Sequence, residues 1–333
     1  MVTAIGKNCR GSRWGGRFCR AAKCDAFCHD IDPNASANGL EIADASRVGF
    51  QRTQFVGTAD SLSEYKEKGF TVLQALLPPG DVLDLKSEIE NVFRPLLRHH
   101  DIEGADSQGE AFEQALERLF DIDMKGYLAA AKATQLCPRL HAMAATEPIL
   151  DRVRSFGLSQ PLIAVRPVVH ILSDALQMPG GYHRTPPHQD WRSVQGSLDA
   201  LVVWLPLVDV DPGFGALEVM PGSHRQGLLP THRDAFGNVV DLAAIDSDRF
   251  VPVSAKTGDA VVFSMFTVHR TGREQRDGIR WAVSLRYNNA DAPGFAALGY
   301  PNPFLYKSQD DLLFEDYPTV SDVASVFEGD PPS

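Results

Sequence analysis

The 333-residue chain has no apolar run near the roughly 20 residues that a membrane-spanning helix needs. Its best stretch, Leu201 to Val210, is strand-sized and interrupted by Pro206, so the sequence predicts no membrane association. Cysteine is almost missing from the body: beyond residue 28 only Cys137 remains. That rules out a disulfide scaffold and leaves no sign of an oxidising compartment. Basic charge is also short, with 32 Lys and Arg against 43 Asp and Glu and a formal net charge of −11. Lys7, Arg10, Arg13, Arg17, Arg20 and Lys23 all precede the first acid, Asp25, so the remainder is more acidic still. Such a body is a poor partner for a phosphate backbone, and no nucleic-acid partner is expected. Internal repeats and low-complexity tracts are absent too.

The N-terminal region holds what the body lacks. Cys9, Cys19, Cys24 and Cys28 crowd there, with His29 beside the last. The spacing invites a zinc reading, but two well-formed ligand pairs separated by a small fold are missing. Without the apolar stretch of a secretory signal, residues 1–58 read as a flexible extension rather than an organelle leader, and the chain as cytoplasmic.

Residues 59–333 read as one domain in three parts. In 59–160 the pattern is helical: a short helix over Ser61–Lys68, a strand over Phe70–Leu76, then a helix begun at Pro78-Pro79-Gly80-Asp81. In that helix Val82, Leu83, Leu85, Ile89, Val92 and Phe93 recur at helical spacing. Two or three further helices are expected in 110–156. From 161 to 290 the texture changes to short strands divided by Gly and Pro: Val165–Leu172, His188–Trp191, Asp199–Val208, Ala216–Met220, Asp259–Phe266 and Arg280–Asn288. Many short strands with frequent turn signals argue a sandwich or barrel. The tail, 291–333, is rich in Pro and aromatics, has no clear period, and reads as a cover.

The segment Thr185-Pro186-Pro187-His188-Gln189-Asp190-Trp191 carries the first chemical signal. In a strand, positions i and i+2 share a face, so His188 and Asp190 can converge on one metal ion. A second histidine would complete a two-His-one-carboxylate set with open positions on a six-coordinate Fe(II). His232-Arg233-Asp234 repeats the spacing but sits among Pro230, Gly237 and Asn238 in an apparent loop. Downstream, the turn Thr257-Gly258-Asp259 leads into a strand and on to His269. Arg280 opens the strand Arg280-Trp281-Ala282-Val283-Ser284-Leu285-Arg286-Tyr287. Its alternation places Arg280, Ala282, Ser284 and Arg286 on one face, a polar face suited to receiving an anion, because a guanidinium can grip a carboxylate with two parallel hydrogen bonds.

From Pro187 to Tyr287 these motifs resemble, in order, the phytanoyl-CoA dioxygenase family of Fe(II)/2-oxoglutarate oxygenases. His188-Gln189-Asp190, Trp204-Leu205-Pro206-Leu207, Gly215-Ala216-Leu217, Pro221-Gly222-Ser223-His224, Gly258-Asp259, His269 and Arg280 carry the likeness, and Tyr65 to Phe70 resembles the family's entry. The resemblance implies a mainly β fold with flanking helices, its core a double-stranded β-helix (jelly roll, cupin-like). It implies iron ligands His188, Asp190 and His269, and Arg280 on the distal carboxylate of 2-oxoglutarate. Thr271, Trp204 and His170 are expected around the cosubstrate. Fe(II), 2-oxoglutarate and dioxygen would be required, with ascorbate as a supporting reductant. The implied reaction is hydroxylation of an unactivated C–H bond in a small molecule, with release of succinate and carbon dioxide. Asp190 argues against the halogenating relatives, which carry a small residue there. Arg286 is left open between a substrate contact and a structural pair, and His183 as a residue reaching the substrate. The rival class is a non-redox, cupin-like metal protein: a hydrolase, isomerase or binding protein. Substrate identity and oligomeric state are not legible.

Overall fold

The computed structural model describes residues 58–177, 184–235, 237–273, 276–306, 312–314 and 316–328. The Cys-rich extension and His183 lie outside them. Helix α1 (Thr58–Lys68) stops at Gly69, which turns the chain with φ +84° into strand β1 (Phe70–Leu73). A β-carbon at Gly69 would sit 2.4 Å from Nδ1 of His224, so glycine is required there for space as well as for its backbone angle.

The helical part follows the apolar spacing. Helix α2 (Pro79–Asn91) starts on proline, which suits a first turn whose N–H has no partner, and buries Val82, Leu85 and Ile89. After α3 (Arg94–His99) come four helices where two or three were expected: α4 (Glu110–Ile122), α5 (Met124–Ala133), α6 (Pro138–Ala144) and α7 (Glu147–Ser155). The extra break falls at Asp123, whose backbone leaves helical geometry and whose side chain accepts the Gly126 N–H at 2.9 Å to cap α5.

The strands β2 (Pro161–Ile163), β3 (Val168–Leu172), β4 (Leu201–Pro206), β5 (Leu217–Val219), β6 (Thr231–Arg233), β7 (Asn238–Val240), β8 (Val251–Val253), β9 (Ala260–Ser264), β10 (His269–Thr271) and β11 (Arg280–Asn289) follow. A six-stranded antiparallel sheet runs β1-β9-β4-β11. Beyond β11, β3 pairs with its first half and β2 with its second. A three-stranded antiparallel sheet, β10-β5-β8, forms the second layer. This is the mainly β, jelly-roll architecture with flanking helices.

The ten-residue β11 is buried throughout and separates two environments. On its outer face Trp281 meets Phe93 edge-on at 6.5 Å, and the Tyr287 hydroxyl donates to the Ala144 carbonyl at 2.7 Å, so this face is sealed by helices. Its inner face carries Arg280, Ser284 and Arg286 into a cavity between the sheets. The turn before β9 is held by Asp259, whose two oxygens accept the N–H groups of Ala75 and Lys256.

Two expectations are corrected. His188–Trp191 is not a strand: His188 makes one isolated bridge to His269, and Asp190 begins the short helix α8 (Asp190–Val194). His232 and Arg233 lie on β6, paired with β7, instead of in a loop. The tail, whose sequence has no clear period, is partly helical. Helices α9 (Pro293–Ala297), α10 (Pro303–Tyr306) and α11 (Val320–Glu328) occupy it, and Val323 and Phe327 of α11 reach the core. Thr319 and Asp322 cap α11 reciprocally, a signal present in the sequence. No described helix is long and apolar enough to cross a membrane.

Candidate metal centre and active site

His188, Asp190 and His269 are all buried, and each offers a ligand atom within 4.8 Å of the others. The backbone brings them together without a shared strand. His188 and His269 exchange both main-chain hydrogen bonds, at 3.0 and 3.1 Å, which brings their rings, tilted at 51° to each other, to a centroid separation of 4.1 Å. Gln189 is extended and Asp190 turns into α8, which brings Asp190 Oδ1 to 3.5 Å from His188 Nε2.

The donor set fits a divalent transition metal. Nδ1 of His188 lies 2.9 Å from the Pro186 carbonyl, and Nδ1 of His269 lies 3.0 Å from that of Thr267. A carbonyl only accepts, so both rings carry their proton on Nδ1 and present a bare Nε2, the arrangement a metal-ligating histidine needs. Burial first, then the neighbouring His188, pushes His269 down to about 3, so it is neutral at physiological pH. Burial opposes ionisation of Asp190, yet the Arg286 guanidinium beside it holds its carboxyl well below the usual range. The triad can therefore offer two imidazole nitrogens and one carboxylate to iron.

All seven side chains expected at the site line one cavity of about 230 Å³. Arg280 is buried, its guanidinium 5.8 Å from the ring centroid of Trp204. His170 shares a 2.8 Å hydrogen bond with the Ser284 hydroxyl. Burial, followed by the charges of Arg280 and Arg286, lowers His170 to about 3. Thr271, on β10, faces the same space from the smaller sheet, and its N–H is held by the Thr185 carbonyl at 3.0 Å. Arg286 forks onto Asp190, with Nε to Oδ2 at 2.9 Å and Nη2 to Oδ1 at 3.2 Å. That pair is internally compensated, and Arg280 brings a further positive charge able to receive an anionic cosubstrate.

Sequence reasoning missed Gln189. Its amide donates to the carbonyls of Gly227 and Phe266 and accepts the Leu229 N–H, all within 2.9 Å, pinning the two flanking ligands to two loops. Nothing in the local pattern marks it except its place between them. Ser284 and Phe263, whose ring lies 4.7 Å from that of His269, were also passed over, although Ser284 shares the alternating face of Arg280. Among the arginines near the site, Arg184 lines an adjoining 550 Å³ cavity. Arg192 and Arg225 donate instead to the Leu229 and Lys66 carbonyls.

Residues 65–282 match the family model of phytanoyl-CoA dioxygenase (PhyH). The chain belongs to the phytanoyl-CoA dioxygenase family. It is 25% identical over 260 residues to phytanoyl-CoA dioxygenase domain-containing protein 1 of Danio rerio, spanning 67% of this chain and 87% of that protein. It is 23% identical over 276 residues to the peroxisomal phytanoyl-CoA dioxygenase of Rattus norvegicus, spanning 77% of each. Among solved structures, the epimerase SnoN in complex with Fe3+, α-ketoglutarate and nogalamycin RO aligns with a TM-score of 0.49 at 19% identity, covering 70% of this chain and 84% of that one. Family membership and the buried His–Asp–His set make this chain an Fe(II)- and 2-oxoglutarate-dependent enzyme of the oxygenase type.

Proposed function

We propose that the chain hydroxylates an unactivated C–H bond of a small molecule, with His188, Asp190 and His269 holding Fe(II) and Arg280 binding the distal carboxylate of 2-oxoglutarate. The observation that carries this reading is the convergence of three buried ligand atoms, two of them histidine nitrogens cleared by carbonyl-bound Nδ1 protons, in one cavity with a buried arginine. Bound iron with 2-oxoglutarate and dioxygen supplies the oxidation, coupling cosubstrate decarboxylation to succinate and carbon dioxide with attack on the substrate.

The protein's own contribution is orientation and exclusion of water. Trp204 walls the space beside Arg280, and Thr271 offers a hydroxyl facing the same volume. His170 is kept neutral, so through Ser284 it presents a polar but uncharged surface to the ligand. Arg280, buried on the same face of β11 as Arg286, supplies the positive charge that attracts an anion. Epimerisation, the reaction named for SnoN, is the second outcome open to the same donor set. A single buried, free Cys137 among the described residues agrees with a cytoplasmic setting.

The test needs no substrate. Anaerobic protein with Fe(II) is titrated with 2-oxoglutarate while the weak visible charge-transfer band of the chelate is followed, with Arg280→Ala alongside. A saturable band is expected. Truncating one partner of a buried charge pair costs about 2–5 kcal/mol, so Arg280→Ala should need roughly 30-fold or more additional 2-oxoglutarate. Bound iron without a band would overturn the oxygenase reading and favour a non-redox metal protein.

A further inference from the structure

Arg286 is a charged side chain of the cavity that grips a triad member, Asp190, through both carboxylate oxygens. It lies six residues beyond Arg280 on the inner face of β11, and both it and Asp190 are buried. We propose that Arg286 is a positioning residue of the metal centre, which aims the Asp190 carboxylate before any metal arrives and restricts it to a single donor oxygen. This rests on the metal-site reading above and adds to it a residue that controls how many coordination positions stay open.

The argument follows from lone-pair geometry. A carboxylate has about four acceptor sites, two on each oxygen. A fork of two N–H donors, one to each oxygen, takes the two parallel lone pairs that point away from the carboxyl carbon. Those are the two that a chelating metal would use. The remaining pair diverges, one on either side of the group, so a single ion can reach only one of them. Since Oδ1 is the oxygen lying 3.5 Å from His188 Nε2, Oδ1 is the one presented. A two-histidine, one-oxygen set leaves three positions of a six-coordinate ion for a chelating cosubstrate and dioxygen, and a chelating carboxylate would leave two. Lysine cannot replace the fork, because its ammonium is a point charge without paired planar donors.

Two measurements test this, neither requiring turnover. The first loads wild type, Arg286→Lys and Arg286→Met with Mn(II) and counts exchangeable water ligands from line broadening of its paramagnetic resonance in oxygen-17 water. Three waters are expected in wild type and two in each variant. Three in every protein, or two in wild type, overturns the proposal, and if Arg286→Met does not fold, Arg286→Lys decides. Failure of wild type to bind Mn(II) would instead overturn the metal-site reading itself. The second measurement is metal-free and concerns aim. Asp190→Gly leaves a buried guanidinium without its counter-charge, so formate, a carboxylate with no side chain, should raise its melting temperature by several degrees more than chloride does. Asp190→Gly/Arg286→Met, which removes both partners, should show no such preference. Equal responses from the single and double variants would show that Arg286 does not hold the carboxylate's place.

Discussion

Loss of one donor from a set of three is felt directly at the metal. His188→Ala and Asp190→Ala should each weaken Fe(II) binding by more than the roughly 10–100-fold typical of lost outer-shell partners. Anaerobic calorimetric titration reads this, and unchanged affinity in either variant would remove that residue from the triad. Gln189 offers a subtler case, because it touches no ligand atom yet satisfies three buried backbone groups. Gln189→Leu keeps the volume and orphans two carbonyls and one N–H, each at about 1–3 kcal/mol. A loss of at least about 3 kcal/mol in urea-unfolding stability is expected, with weaker metal binding as His188 and Asp190 lose their anchor. A variant as stable as wild type would mean that water or a loop shift replaces the amide.

The loop that delivers His269 depends on contacts made far away in sequence. Gly69, between α1 and β1, lends its carbonyl to the Ser264 N–H and the Thr267 hydroxyl, two groups at the end of β9 that set the path into β10. Gly69→Ala brings a β-carbon against His224 and Thr267 and adds a positive-φ penalty of about 1 kcal/mol. Destabilisation of about 2 kcal/mol or more is expected, with a fall in metal affinity as the loop moves. Full stability with normal metal binding would show that the loop is held by other contacts. Much of this was readable in advance: the alternation of β11 gave its two faces, and the amphipathic spacing gave α2. The His188–Asp190 spacing picked out two side chains that the fold does bring together, but through the wrong geometry, because a lone bridge and a helical turn can converge two side chains as well as a strand can. Sequence periodicity registers side-chain alternation, not main-chain partners, which is why β6 and α8 were missed. The partner of Arg286 lies 96 residues away, and no local pattern names it.

Across the molecule, acid stability turns on histidines that fold in the neutral state. His224 is the one furthest from the metal question, wedged between α1 and α11 with Nε2 at 3.1 Å from the Lys66 carbonyl and its ring 4.5 Å from that of Phe327. Burial pushes it down to about 4 from an ordinary 6.5, outweighing the Lys66 hydrogen bond. Between those values the unfolded chain binds a proton that the folded chain refuses, so stability rises with pH across that window and falls as the solution is acidified through it. At about 1.36 kcal/mol per pH unit, His224 alone should cost about 2 kcal/mol between pH 7 and pH 5, and about 3 kcal/mol by pH 4. His224→Asn retains an N–H donor without the titration, so whatever its stability at pH 7 it must lose less on acidification than wild type. Urea unfolding of the metal-free proteins at pH 7, 6 and 5 isolates the term, since His170 and His269 are common to both. A stability difference that closes, or reverses, by about 2 kcal/mol over this range supports the linkage. A difference independent of pH would mean that His224 is protonated in the fold, and its Nδ1, buried without a hydrogen-bond partner, would then have to carry that proton.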